Sequence, residues 1–163
     1  MKVVCDTNVI IDFSKIGHLD LLKDVFDEVL IPDEVKEELL SGEADGIEDT
    51  DIKKALDGWI SIKTVKDRFA LENLKIHIDK GESASIVLYK ETNADLLAIN
   101  DLKARGIAHA LEIKIIGTLG ILLLAKGKGL IQEIKPVIDE LRKIGAYVSK
   151  NLYNRILKDA GEL

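Results

Sequence analysis

Four carboxylates, Asp6, Glu38, Glu82 and Asp101, hold the most specific chemistry this sequence offers. Asp6 ends the apolar run Val3-Val4-Cys5, and Asp101 follows the fully apolar run Leu96 to Ile99. Glu38 and Glu82 stand in predicted helices that follow a strand or a loop. In an open parallel α/β sheet, ligands bind outside the carboxyl ends of the strands. Four acids converging on that edge would repel one another strongly unless a cation sat between them. Oxygen donors with no Cys or His at ligand spacing favour Mg²⁺ or Mn²⁺ over zinc. Such an ion neutralises charge on a phosphoryl group and lowers the pKa of bound water, which is what phosphodiester hydrolysis requires.

Each acid also has a plainer role open to it. Asp6 can be a helix N-cap, Asp101 a turn former, and Glu82 is favoured in a first helical turn by the dipole alone. Glu38 is an ordinary surface residue unless its phase turns it inward. With Val35 and Leu39 as the inward stripe of a helix, Glu38 lies about 80° from the stripe's centre and Glu37 about 180° away. Glu37 is therefore expected in solvent and Glu38 at the site.

The elements that must position these residues are short. Val3-Val4-Cys5, Val29-Leu30-Ile31, Trp59 to Ile62, Leu96 to Ile99 and Ile113 to Ile116 read as buried strands. Between them, a helical pattern runs from Ile10 to Phe26 with a break at Gly17. Asp33 is expected to cap a helix from Glu34 to Leu40, stopped at Ser41-Gly42, with the acidic stretch Glu43 to Asp51 as a loop. Further helices are expected through Ile52, Ala55 and Leu56, from Asp79 to about Glu91, Leu119 to Lys126, Pro136 to Ile144 and about Ser149 to Ala160. Apolar strands alternating with helices imply an α/β fold with a parallel sheet covered on both faces, in one domain over 1–163 with a C-terminal helical extension at about 131–163. The apolar residues of that extension suit packing on the sheet or on a second copy.

Composition narrows the class. The chain has 163 residues, 47% hydrophobic and 32% charged, enough to bury a core. Its one cysteine, Cys5, excludes a disulfide framework and is expected to be a buried, inert thiol. The opening Met-Lys-Val-Val-Cys-Asp has no signal-peptide anatomy, and no apolar stretch approaches the roughly 20 residues of a membrane span, so a cytoplasmic protein without a membrane partner is expected. The net charge of −6 argues against a nucleic-acid partner until its distribution is considered. Residues 1–60 carry 6 basic and 16 acidic side chains, whereas residues 126–163 carry 8 and 5. The basic candidates for holding a phosphate backbone are Lys103 and Arg105, just after Asp101, and Lys126 and Lys128. Only seven aromatic residues are present, too few for a base-stacking platform.

Several segments together resemble a family. Val-Val-Cys-Asp-Thr-Asn at 3–8, Pro-Asp-Glu-Val-Lys-Glu-Glu-Leu at 32–39, Gly-Glu-Ser-Ala-Ser-Ile at 81–86 and Ile-Asn-Asp at 99–101 resemble the VapC-like PIN-domain nucleases. Gly-Thr-Leu-Gly-Ile-Leu at 117–122 and the tail from Leu141 to Leu163 are similar to a prokaryotic, often archaeal, branch of that family. The resemblance implies a three-layer α/β/α sandwich and a metal-dependent endoribonuclease. In it Asp6, Glu38, Glu82 and Asp101 hold one or two Mg²⁺ or Mn²⁺ ions, and Asn8 supports the site through a hydrogen bond. It further implies an RNA substrate, a homodimer, and pairing as a toxin with a small antitoxin that blocks the acidic groove. Some members carry another acid where this chain has Gly117-Thr118; Thr118 could there bond a metal-bound water or a carboxylate.

Other chemistries fit less well. A phosphatase working through an aspartyl-phosphate needs a second Asp two residues after the first, and Asn8 stands there. A phospho-acceptor domain needs a Lys after its last strand, where Lys114 and Lys126 are poorly placed. Phosphate-binding glycine loops are absent. The rival of a different class is a PIN-like RNA- or protein-binding module with weak or no catalysis.

Overall fold

Strand-by-strand alternation of side chains divides the core of this protein into two, and that division sets the layers. In the computed structural model, which describes residues 1–41 and 50–163, five strands form one all-parallel sheet. They are β1 (Lys2–Cys5), β2 (Glu28–Pro32), β3 (Ile60–Lys63), β4 (Leu96–Ala98) and β5 (Ile115–Ile116), in the order β3-β2-β1-β4-β5. Val3, Cys5, Val29, Ile31 and Ile60 point into one core, and Val4, Leu30, Leu97 and Ile99 into the other.

The first core is closed by α1 (Thr7–Lys15), α2 (Leu21–Val25), α4 (Thr50–Asp57), α8 (Thr118–Gly127), α9 (Lys135–Lys143) and α10 (Lys150–Asp159), and Val35 of α3 (Asp33–Leu40) joins it. The second is closed by α5 (Arg68–Lys75), α6 (Lys80–Thr92) and α7 (Leu102–Ala110). Helices cover both faces, so the architecture is the expected α/β/α sandwich. The C-terminal helices bury Val137, Ile138, Leu141, Ile156 and Leu157 in the first core. At about 1.5–3 kcal/mol for each fully buried large aliphatic side chain, that packing commits these residues to the domain's own core.

The chain order places the site. From β1 it steps outward to β2 and β3, then crosses back over the opposite face through α5 and α6 to β4, beside β1. A crossover of fixed hand must change faces when the direction of winding reverses. The reversal leaves a crevice at the carboxyl ends of β1 and β4, where this class of sheet binds ligands. The amide of Asp6 donates to the Ala98 carbonyl at 3.0 Å, so the pairing of β1 and β4 extends to that edge.

Several local expectations change. Asp33 does not cap α3: Pro32 holds the cap position and Asp33 is already helical, its carboxylate accepting from the Thr64 hydroxyl at 2.6 Å. β5 is shorter than expected, because the Ile113 amide is used by the Ala108 carbonyl in closing α7. The break at Gly17 is present, with φ at +71° in the left-handed region and the His18 amide bonded back to Phe13. α5 and α7 were not anticipated, although Asp67 and Asp101 mark their starts by accepting from Ala70 and Ala104. The expected stop at Gly42 and most of the loop from Glu43 lie outside the described residues, but Asp51 belongs to α4.

Candidate active site

Asp6 occupies the turn from β1 into α1. Its backbone is extended, its side chain makes no capping bond, and it is 2% exposed. Burial pushes its carboxyl up to about 8; the Thr7 amide opposes this, while Asp79, Glu82 and Glu38 add repulsion. Glu82 lies in the first turn of α6 and is also buried. Burial takes it up to about 7, with the charges of Asp79, Asp101 and Glu38 acting the same way. Glu38 is half-buried and raised by burial, with help from Asp79. Asp101 is exposed and reaches the group through its interaction with Glu82. The four predicted acids therefore share one electrostatic site at the β1–β4 crevice. Asp79, read from sequence only as the opening of a helix, is a fifth member.

Local hydrogen bonds orient these carboxylates. The Thr7 hydroxyl and the Gly81 amide both donate to Glu38. The Asp79 amide donates to Glu82 at 3.3 Å and the Glu82 amide to Asp79 at 2.8 Å, a reciprocal capping box. Asp101 accepts from the Ala104 amide at 2.9 Å. The plainer roles of Glu82 and Asp101 are thus real, and they coexist with membership of the acidic site. Held this way, no three His, Cys, Asp or Glu side chains among the described residues close into a metal cage. The donor chemistry nevertheless fits a hard divalent cation. All donors are oxygen, two carboxyls are buried, and a positive charge would offset both the burial and the added repulsion that raise them.

Glycine 81 is required by this arrangement. A β-carbon there would fall 2.5 and 2.6 Å from the two carboxylate oxygens of Glu38. Helical phase also separates the two glutamates as anticipated: Glu37 is exposed and pairs with Lys80 at 3.1 Å, while Glu38 turns toward Thr7.

The two supporting residues behave differently. Asn8 is exposed and makes no side-chain hydrogen bond among the described residues; its neighbour Thr7 supplies the bond to an acid. Thr118 does bond a carboxylate, but that of Asp12, at 3.1 Å. Asn100 completes the triangle, donating to Asp12 at 3.0 Å and to Thr118 at 2.8 Å and accepting from the Thr118 amide at 3.0 Å. This network locks α1 and the start of α8 to the end of β4. Its signal in the sequence was slight, since Asp12 lies within a helix with no strand end beside it.

Of the basic candidates, Lys103 is exposed on the first turn of α7 with no ion pair among the described residues. Arg105 donates to the Ile99 carbonyl at 3.1 Å and lies against Gly117, so part of its guanidinium anchors the sheet edge. Lys126 and Lys128 are not at the site. α8 starts beside the crevice and runs about 15 Å toward the opposite edge. There Lys126 pairs with Glu162 at 2.8 Å and Lys128 donates to the Val25 carbonyl at 2.8 Å. Cys5 is fully buried, and burial together with the Asp6 charge pushes its thiol up, as suits an inert core residue.

No helix among the described residues is long and apolar enough to cross a membrane. No curated protein and no solved structure matches the chain significantly. A family model described as PIN domain matches residues 2–162, which takes in every element and all five acids. With a five-stranded parallel sheet and its acids gathered at the switch point, the chain belongs to the PIN-domain family, whose fold is of the nuclease type.

Proposed function

We propose that this protein is a metal-dependent endoribonuclease whose site is the acidic crevice between β1 and β4. The observation that carries the reading is the pair of buried carboxyls, Asp6 and Glu82, each raised by burial and by the charges of Asp79 and Glu38. A bound Mg²⁺ or Mn²⁺ supplies charge neutralisation at the phosphoryl oxygens and an activated water. Asp6, Glu82 and Asp101 are the residues that would hold it. Glu38, fixed by Thr7 and Gly81, would orient the attacking water or hold a second ion. Lys103, exposed two residues after Asp101, would receive the phosphate backbone. Incubating labelled single-stranded RNA with Mg²⁺ or Mn²⁺, with and without EDTA, tests the reading: cleavage is expected only with the metal.

A finer form of the proposal is a toxin that acts as a homodimer and is held by a small antitoxin over the acidic groove. Phe69, Ile76 and Leu102, exposed on the layer built by α5 to α7, are residues that a second copy could cover. The second reading, a binding module with weak or no catalysis, is favoured by one observation: the carboxylates are turned to local donors and form no closed cage.

Two expected results follow from the geometry. Gly81→Ala should lower cleavage about tenfold or more by displacing the Glu38 carboxylate. Its stability should stay within about 1 kcal/mol, because the helix gains propensity and the displaced group is a flexible side-chain end. A thermal melt run beside the cleavage assay checks both. Lys126→Ala and Lys128→Ala should leave cleavage within about twofold. Lys126→Ala should destabilise the fold by about 1–3 kcal/mol, since it strips a charged partner from Glu162. Cleavage lost in either lysine variant with folding intact would contradict their placement.

A further inference from the structure

A second polar feature lies beside the acidic crevice. α3, α5 and the first residue of α6 enclose a groove of about 580 Å³, within the range of ligand sites. Glu34 lines it and is 4% exposed. Its Oε1 accepts from Arg68 at 3.0 Å, but its Oε2 has no hydrogen-bond partner and no contact with solvent. A buried carboxylate oxygen left unmet is costly, and the fold does nothing locally to relieve it. The groove also adjoins the acidic site. Lys80, on its wall, precedes the Gly81 that lies against Glu38, and Lys80 pairs with Glu37 from the same helix as Glu38.

We propose that this groove holds one nucleotide of the RNA next to the bond that is cut, with a base N–H donating to Glu34 and the backbone phosphates facing Lys36, Lys75 and Lys80. The inference rests on RNA being the substrate. The lining selects this ligand chemistry. Arg68 already gives Glu34 its cationic partner, so the unmet oxygen calls for a neutral N–H, which every nucleobase carries. Lys36, Lys75, Lys80 and Arg68 balance the four acids of the lining, Asp33, Glu34, Glu37 and Glu72, and supply the cationic ends that backbone phosphates would meet. Lys36 has no ion pair among the described residues, and Lys75 and Lys80 are held only by exposed pairs to Glu72 and Glu37, which exchange readily. The Arg68 side chain is 55% exposed, and a shift of its outer end that keeps the ion pair would open the way from the groove to the buried oxygen.

The test is an abasic scan. A fluorescein-labelled single-stranded RNA, with one base removed at each position in turn, is titrated by fluorescence anisotropy in EDTA so that no strand is cut. The cut position is mapped separately on the intact RNA with Mn²⁺. Wild type should lose about tenfold in affinity when the base flanking the cut is missing. In Glu34→Leu the same deletion should cost less than about twofold, because the acceptor is already gone. Replacing a buried charge by an apolar side chain is often neutral for folding; if the leucine variant fails to fold, Glu34→Met, which also lacks an oxygen acceptor, takes its place in the same scan. Lys36→Glu should weaken every RNA about fivefold regardless of which base is missing. Identical abasic profiles in wild type and the Glu34 variant, or no RNA binding by wild type, would overturn the groove, while the ribonuclease reading stands or falls separately on the cleavage with Mn²⁺. RNA that is bound with the expected coupling but never cut would leave the groove standing and contradict the ribonuclease.

Discussion

Asp6→Asn is expected to lower RNA cleavage by about 10²–10³-fold or more and, in the same protein, to raise the melting temperature of the metal-free form at pH 8 and above. The two effects have one origin. The Asp6 side chain is 2% exposed, and burial with three neighbouring acids pushes its carboxyl up to about 8. Ionising it without a cation sets a charge where the fold offers one amide and much repulsion. Asparagine keeps the shape and can still accept from the Thr7 amide, so the fold gains what the chemistry loses. Stability and activity moving in opposite directions is the signature of a functional group held against its own electrostatics. Calorimetry in EDTA beside a cleavage assay separates the cases. A variant that loses both activity and stability would mark Asp6 as a structural residue.

Stability of the metal-free protein should fall as pH rises from about 4 to 8, by several kcal/mol in total. Asp6 and Glu82 move from ordinary values of 3.8 and 4.5 up to about 8 and about 7. A carboxyl raised in the folded state binds its proton more tightly there than in the unfolded chain. Its contribution is complete below the unfolded value and drains away as pH rises through the folded one. The window therefore lies between about pH 4 and 8, and the slope is opposite to that of a salt-bridged carboxylate. Millimolar Mn²⁺ should flatten the profile at its alkaline end, where the acids are ionised and free to bind. Melting temperatures at pH 5, 7 and 9, with EDTA and with Mn²⁺, measure this directly. A metal-free protein that grows more stable toward pH 9 would contradict the electrostatics assigned to the site.

What could be read from the sequence was what strand ends and helical phase encode. An acid after a buried apolar run must lie at a sheet edge, which places Asp6 and Asp101 without any tertiary information. The phase of α3 turns Glu38 in and Glu37 out, because Val35 must be buried. Residues whose position depends on where a helix ends were less legible. Lys126 and Lys128 follow the Gly-Thr-Leu-Gly motif closely in sequence, yet the length of α8 carries them to the far edge of the sheet. Residues with two roles were hidden as well. Asp79 looks like an N-cap and is one, and nothing local shows that its charge also bears on Asp6 and Glu38. The Asp12–Asn100–Thr118 triangle joins three segments distant in sequence, and no periodicity anticipates it. Glu34 carries no such signal, because a glutamate in the first turn of a helix is ordinarily solvated, whereas here α5 covers it through Arg68.

The most direct measurement of the central claim is a single Mn²⁺ titration read two ways, as the rise in melting temperature and as the rate of cleavage of a labelled single-stranded RNA. If the acids at the β1–β4 crevice form a metal site that performs the chemistry, both signals should appear over the same Mn²⁺ range, vanish with EDTA, and be lost together in Asp101→Asn. Cleavage that persists in EDTA, or a thermal shift that survives in Asp101→Asn while cleavage does not, would place the metal or the chemistry elsewhere.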